Sequence, residues 1–445
     1  MPPVSRSNLA QRGRKRTLQF LARSDRFTPE EVADKRTPAQ RDRDRILYSG
    51  AFSRLAEITQ VVSPERGYVF HNRLTHSLKV GQIARRLTEY LIYEHASTVA
   101  KLGPLDPDAA EAAGLAHDLG HPPFGHIAEY ELNELVRGEG VLDGYEGNAQ
   151  GFRIVTGLAS SDARDRNEGA IAGLNLTRMT LNGVLKYPWG SGDRQQPKKW
   201  GYYKTEQEIF TWVRYGMPPR QRSLIAEIMD WADDITFAIH DLLDFYRAGK
   251  VPIDRCKRRQ DNRERERLIE GMFRRKPEWL PERNKYFDAL EAILDSFPFE
   301  PEQRYRDTKE DRAKLFDWST GLIRYFVQSF SLASQGIQTN ALAHVAEDAR
   351  NTAEVLKQFT WEYVIENQDL AVPQSGQREA VRNVFKQLLS ASSKKKYYLF
   401  PPAHQEAIQH ARTKRERVRL VADTVSDMTE REIMHIHRGL HGLAI

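Results

Sequence analysis

A chain of 445 residues with 40% hydrophobic content is long enough to bury a large core, as one big or two ordinary domains. Its apolar runs fall far short of a membrane span, and the opening MPPVSRSNLAQRGRKRTLQF has basic residues without the apolar stretch of a secretion signal, so a cytoplasmic protein is expected. Lys and Arg number 67 against 61 Asp and Glu, a net charge of +6 that suits a polyanionic partner, and the one cysteine, Cys256, excludes an internal disulfide or a cysteine-built metal site.

Residues 1–40 read as a basic N-terminal arm that passes through RTPAQRDRDR into order at ILYSGAFSRL. After that the periodicity is helical. VGQIARRLTEYLIYE places Val80, Ile83, Ala84, Leu87 and Leu91 on one face, with Thr75 available as the cap of its helix. DPDAAEAAGLAHDLG offers Asp108 as N-cap and Gly120 as stop. Between 143 and 203 a stretch rich in Gly, Pro and Trp suggests a long structured loop. SLIAEIMDWADDITFAIHDLLDFYRAG is the strongest helix: Leu224, Ile225, Ile228, Ala232, Ile235, Leu242 and Leu243 line its apolar side, and Gly249 ends it. Strand patterns are scarce, which predicts an all-α fold. The domain reading is the arm, a catalytic core over 41–255, and a C-terminal helical region over 256–445.

Six of the 13 histidines, His71, His76, His95, His117, His121 and His126, crowd one part of the chain. GLAHDLGHPPFGH, Gly114–His126, sets His117 beside Asp118 at the end of an alanine-rich helix, where an unpaired buried carboxylate would be costly. A cation explains it, and a mixed His/carboxylate set suits Mn, Fe, Co, Ni or Mg. His76 supplies a third ligand from a helix start. The fourth is a distant carboxylate in WADDITFAIHD, where Asp233 or Asp234 interrupts the apolar pattern and Asp233, Phe237 and Asp241 recur at i, i+4, i+8.

HNRLTHS, then HDLGHPPFGH, then ADDI resemble the HD superfamily of metal-dependent phosphohydrolases. RDRDRILYSGAFSRL, HPPFGHIAE, YEGNAQGFRIV, NGVLKYPW, KKWGYY and VADTVSDMTE narrow the resemblance to its deoxyguanosinetriphosphate triphosphohydrolase branch, from about residue 38 almost to the end. The resemblance implies an all-α HD-domain helical bundle with an additional C-terminal helical region. It implies a divalent cofactor, Mn2+ or Mg2+ first and Fe, Co or Ni next, and a dNTP split into deoxynucleoside and inorganic triphosphate. It further implies a homo-oligomer, for instance a hexamer, and a single-stranded DNA or nucleotide effector.

Carried over by position, His76, His117, Asp118 and Asp233 resemble the metal ligands, and Asp233 is preferred to Asp234 because Phe237 and Asp241 then match the next two site positions. His126 and Glu129 resemble the catalytic pair, with His126 as general acid or base. Arg73, His121, Lys186, Tyr187 and Lys198 or Lys199 resemble phosphate contacts; Gln60, Asp241 and Phe237 fall at the sugar. Asp241 lies two turns past Asp233, about 12 Å along a helix axis. Phe237 stands where the family has tyrosine, Ser53 and Ile58 where it tends to have Arg and Lys, and Lys79 where Glu is common.

The chemistry agrees with this reading, because a triphosphate needs a cation plus Arg and Lys to offset its charge. Two alternatives stay open: an HD phosphodiesterase acting on a signalling nucleotide or a nucleic-acid end, and a non-catalytic nucleotide- or DNA-binding regulator using the basic segments 256–275 and 394–418.

Overall fold

In the computed structural model, which describes residues 23–440 except 31–33, 61–71, 103–104, 160–172, 194, 196–197, 259–261, 304, 334–340 and 367–370, helix begins where the basic arm meets its first cap. Thr37 accepts from Gln40 N and the Gln40 side chain answers Thr37 N, a capping box that starts α1 (Pro38–Leu47). Arg26 is buried against Asp42, so this part of the arm is tied to the bundle. Most of the arm and His71 lie outside the described residues.

α2 (Gly50–Arg54) is followed by α3 (Arg73–Glu94), α4 (Ala96–Leu102) and α5 (Pro107–Ala116). The cap of α3 is Asn72, not Thr75, and that of α5 is Asp106, not Asp108, because in each case the earlier side chain accepts the free N–H of the first turn. His76 therefore sits inside the first turn of α3. α5 packs on α1, on α3 and on the later helix Leu224–Thr236. Its alanines allow this: a Cβ on Gly114 would stand 2.8 Å from Gly81 Cα, so α3 and α5 touch backbone to backbone. Val80, Ile83, Ala84, Leu87 and Leu91 are all buried, each larger one worth about 1.5–3 kcal/mol.

α6 (His126–Gly138), α7 (Gly147–Arg153), α8 (Arg178–Val184) and α9 (Gln207–Val213) come next. The stretch 143–203 is thus not loop throughout, since Glu146 caps α7 and Thr177 caps α8; it is irregular from Leu185 onward. α10 (Leu224–Thr236) and α11 (Leu242–Arg247) form one rod joined by a π turn, Phe237–Asp241, which Gly249 ends at φ +66°. The remainder is α12 (Arg263–Arg275), α13 (Arg283–Ser296), α14 (Lys309–Gln328), the antiparallel pair β1 (Phe330–Leu332) and β2 (Ala343–Val345), α15 (Glu347–Thr360), α16 (Ala371–Ser393), α17 (Pro402–His410), α18 (Lys414–Asp427) and α19 (Glu430–Leu440). The fold is all-α, with that ribbon the only sheet among the described residues. Among them, no helix is long and apolar enough to cross a membrane.

Two cores divide the C-terminal region. Trp279, Phe297, Phe326 and Leu356 join the core built on α3, α5 and α10. Val381, Phe385, Val418, Val421, Val425 and Ile433 instead pack on Ala128, Leu132 and Val136 of α6, in a second core that also takes Phe124. The helix that carries His126 and Glu129 is therefore backed by the last helices of the chain.

Candidate active site

Three distant segments meet at one point. The first turn of α3 brings His76, the end of α5 brings His117 and Asp118, and α10 brings Asp233. His76 Nε2 lies 3.1 Å from Asp233 Oδ1, and His117 Nε2 lies 3.4 Å from Asp118 Oδ1 and 3.7 Å from Asp233 Oδ1. Donor atoms of His76, His117 and Asp118 fall within 4.8 Å of one another. His117 donates Nδ1–H to the Gly114 carbonyl at 2.7 Å, which leaves Nε2 as a bare lone pair, buried and without a hydrogen-bond partner among the described residues. Two imidazoles and two carboxylates around an unanswered nitrogen fit a divalent cation. The charges agree. Burial opposes ionisation of Asp118, but His117, Arg73 and His121 hold its carboxyl well below the usual range; Lys186, His76 and His117 do the same for Asp233. Burial also opposes a charged His76, yet Asp233 and Asp241 push its pKa up to about 10. The carboxylates of Asp233 and Asp241 thus favour positive charge at the position of His76.

His126 and Glu129 lie beside this set. His126 Nδ1 is 2.7 Å from Glu129 Oε2, and the imidazole is 63% exposed while the carboxylate is buried. Burial would raise the Glu129 pKa, but the His126 hydrogen bond and Lys199 hold it well below its ordinary value. The ionised carboxylate fixes Nδ1 as the donor, so Nε2 is the nitrogen left for chemistry. His121 packs edge-on to the His126 ring at 5.1 Å, and its Nδ1 lies 3.0 Å from Asp118 Oδ1. Burial and then Arg73 lower the His121 pKa to about 4, which keeps the ring neutral near pH 7.

The cations expected at phosphate rest on carboxylates. Arg73 holds Asp118 Oδ2 at 2.8 Å. Lys186 bridges Asp230 at 2.7 Å and Asp233 at 3.1 Å, while Lys199 bridges Glu129 at 2.8 Å and Glu146 at 3.0 Å. Tyr187 is half-buried against Trp189, and Lys198 is exposed. Gln60 is half-buried, and its buried Oε1 has no hydrogen-bond partner among the described residues. Phe237 opens the π turn, half-buried. His95 caps the far end of α3, roughly 28 Å from His76 along the axis, and takes no part.

Asp241 is buried beside His76. It is 1% exposed, and its Oδ1 stands 3.7 Å from His76 Nδ1, so Asp233 and Asp241 flank opposite nitrogens of one imidazole. In a regular helix eight residues overshoot two turns by about 80°; the wider π turn removes part of that rotation and brings Asp241 behind His76. The carboxylate faces the His76 ring.

Asp230 and Glu146 were missed. Asp230 is one turn before Asp233 on the same helix, which was a readable signal; Glu146 lies in YEGNAQ, where only its capping role could have been read. The basic segment 256–275 is largely paired, with Arg267, Arg274 and Arg275 on Glu362 and the last two also on Glu366.

The chain matches the HD domain over residues 73–238 and a phosphohydrolase-associated domain over 343–439. It is similar to a deoxyguanosinetriphosphate triphosphohydrolase-like protein of Streptomyces coelicolor, 33% identical over 435 residues that cover 94% of this chain and 96% of the relative. Relatives of the same name from Corynebacterium glutamicum strain R (32% over 416 residues, 92% of each chain) and Jannaschia sp. (30% over 423 residues, 95% and 93%) are similar along nearly the whole length. The chain therefore belongs to the HD-domain phosphohydrolases, in the family of deoxyguanosinetriphosphate triphosphohydrolase-like proteins, and is a metal-dependent nucleotide phosphohydrolase.

Proposed function

We propose that this protein hydrolyses 2′-deoxynucleoside 5′-triphosphates, dGTP among them, to deoxynucleoside and inorganic triphosphate. The observation that carries the reading is an exposed His126, oriented by buried Glu129, one ring contact from His121 and thus next to Asp118. A divalent cation, Mn2+ or Mg2+ for this donor set, held by His76, His117, Asp118 and Asp233, would offset phosphate charge and acidify a water.

The protein's own groups do the rest. Arg73 anchors Asp118, and neutral His121 is placed to hydrogen-bond a phosphoryl oxygen. Lys186 and Lys199 exchange their carboxylate partners for the oxygens of the triphosphate, which gathers the negative charge against the site. A water oxygen bonds to the α-phosphorus, the bond to the 5′-oxygen breaks, and His126 Nε2 moves the proton, with Glu129 stabilising the charged ring.

Incubation of purified protein with each dNTP and Mn2+ or Mg2+, followed by phosphorus NMR, tests this. Triphosphate and nucleoside are the expected products. Monophosphate plus pyrophosphate would overturn the reading.

A further inference from the structure

The C-terminal helices hold none of the residues assigned to metal or proton transfer, yet one side chain from them reaches the catalytic turn. Glu430, at the start of α19, accepts two backbone N–H groups on a single oxygen: Thr59 N at 2.7 Å and Phe124 N at 3.1 Å, both to Oε1. Thr59 Oγ1 donates to Oε2 at 2.8 Å. The two clamped segments are far apart in sequence and meet at this carboxylate. Thr59 precedes Gln60 and bridges to Asn72, the cap of the helix that carries Arg73 and His76. Phe124 precedes Gly125 and His126.

The turn needs holding. Phe124 has φ +67° and Gly125 φ +59°, so a bulky residue occupies a left-handed conformation immediately before the helix that begins with His126. A Cβ at Gly125 would meet Arg73 Nη2 at 2.8 Å, so the turn is also pressed against the metal-side arginine. Arg54 secures its other end, donating to the carbonyls of Leu119 and His121 and, from the same guanidinium, to Met428 just before Glu430. Phe124 itself is buried in the second core with α16, α18 and α19. Loop N–H groups such as those of Thr59 and Phe124 have no helical partner, and a carboxylate is the acceptor that can take both at once. Burial raises the Glu430 pKa in spite of its three donors, so the clamp is held at some cost to the folded state.

We infer that Glu430 is a positioning residue through which the phosphohydrolase-associated segment sets the Phe124–Gly125 turn, and with it His126, against the Thr59–Gln60 segment. The inference rests on the reading of His126 as the proton-transfer group. It assigns the C-terminal region a task in turnover apart from covering the core.

The test uses the full chain with Glu430→Ala, Glu430→Gln and Thr59→Val. Glutamine keeps Oε1 as an acceptor for both N–H groups, and its amide can donate to the Thr59 hydroxyl, so it should rescue what alanine loses. Amide hydrogen exchange, read by mass spectrometry on the peptide holding Phe124 and Gly125, should quicken by ~10-fold or more in Glu430→Ala and stay near wild type in Glu430→Gln. In dNTP hydrolysis, Glu430→Ala should lower kcat by ~10-fold with KM within about twofold and bound metal unchanged, as expected when a reacting group is displaced and the ligands are not. Unchanged exchange and kcat in Glu430→Ala would overturn the inference, as would a glutamine variant as impaired as alanine. Should alanine prevent folding, Thr59→Val removes the hydroxyl that fixes the carboxylate through Oε2, which loosens its hold on both N–H groups, and must still quicken exchange at position 59 and at Phe124. If the wild type hydrolyses no dNTP, the activity assignment falls while the exchange measurement still decides the clamp.

Discussion

Asp233 and Asp234 are adjacent in the chain but face different partners: Asp233 Oδ1 lies 3.1 Å from His76 Nε2, whereas Asp234 Oδ1 lies 2.7 Å from Lys357 Nζ. One turns into the proposed metal set and the other secures α10 against α15. Asp233→Ala should lose metal affinity and turnover by at least ~100-fold, while Asp234→Ala should keep both within a few-fold. Elemental analysis of the two purified variants separates them, and metal retained in Asp233→Ala would mean that the fourth ligand lies elsewhere.

Asp241 behind His76 has the placement of a group that orients a ligand ring. Asp241→Asn should weaken divalent-cation binding by roughly 10- to 100-fold, seen by calorimetric titration, without altering the ratio of dGTP to GTP hydrolysis. Unchanged metal affinity with a lost preference for the deoxy sugar would favour a sugar contact for Asp241 instead.

His126→Ala should lower kcat by ~10²-fold or more, because the proton then has no positioned carrier, and should leave bound metal at the wild-type level. Metal content and single-turnover rates on one preparation check both halves. Loss of metal with the activity would point to a ligand role.

Glu129 links pH to stability. Its folded-state pKa lies well below the ordinary 4.5, through the His126 hydrogen bond and Lys199 acting against burial. A depressed carboxylate contributes stability that is present above the unfolded pKa and is lost as pH falls through the folded one. The Tm difference between wild type and Glu129→Gln should therefore hold steady from about pH 7 to pH 5 and shrink as the solution is acidified below about 4.5. A difference that grew on acidification would contradict the assigned ionisation.

Gly120 should prove unreplaceable for steric reasons. A Cβ there would lie 2.0 Å from Gly147 O and 2.2 Å from Gly151 N, both backbone atoms of α7. Gly120→Ala should cost at least about 2 kcal/mol in urea unfolding. Gly138→Ala, with open space around it, should be neutral or stabilise by up to about 1 kcal/mol.

The amino-acid sequence by itself determined the helical class, the buried face of α3, and the concentration of His117, Asp118, His121 and His126 around one short turn. These depend on local periodicity and composition, which a chain carries wherever it folds. Tertiary structure decided the rest, because it depends on which groups meet across long separations. The spacing of Asp233 and Asp241 showed that they share a helix face, but only the π turn brought Asp241 behind His76. Lys186 and Lys199 could be read as phosphate-seeking cations; packing supplied the carboxylates on which they rest. Glu430 carried no local signal at all, since two loop N–H groups from distant segments acquire a common acceptor only once α19 has docked against the turn that begins α6.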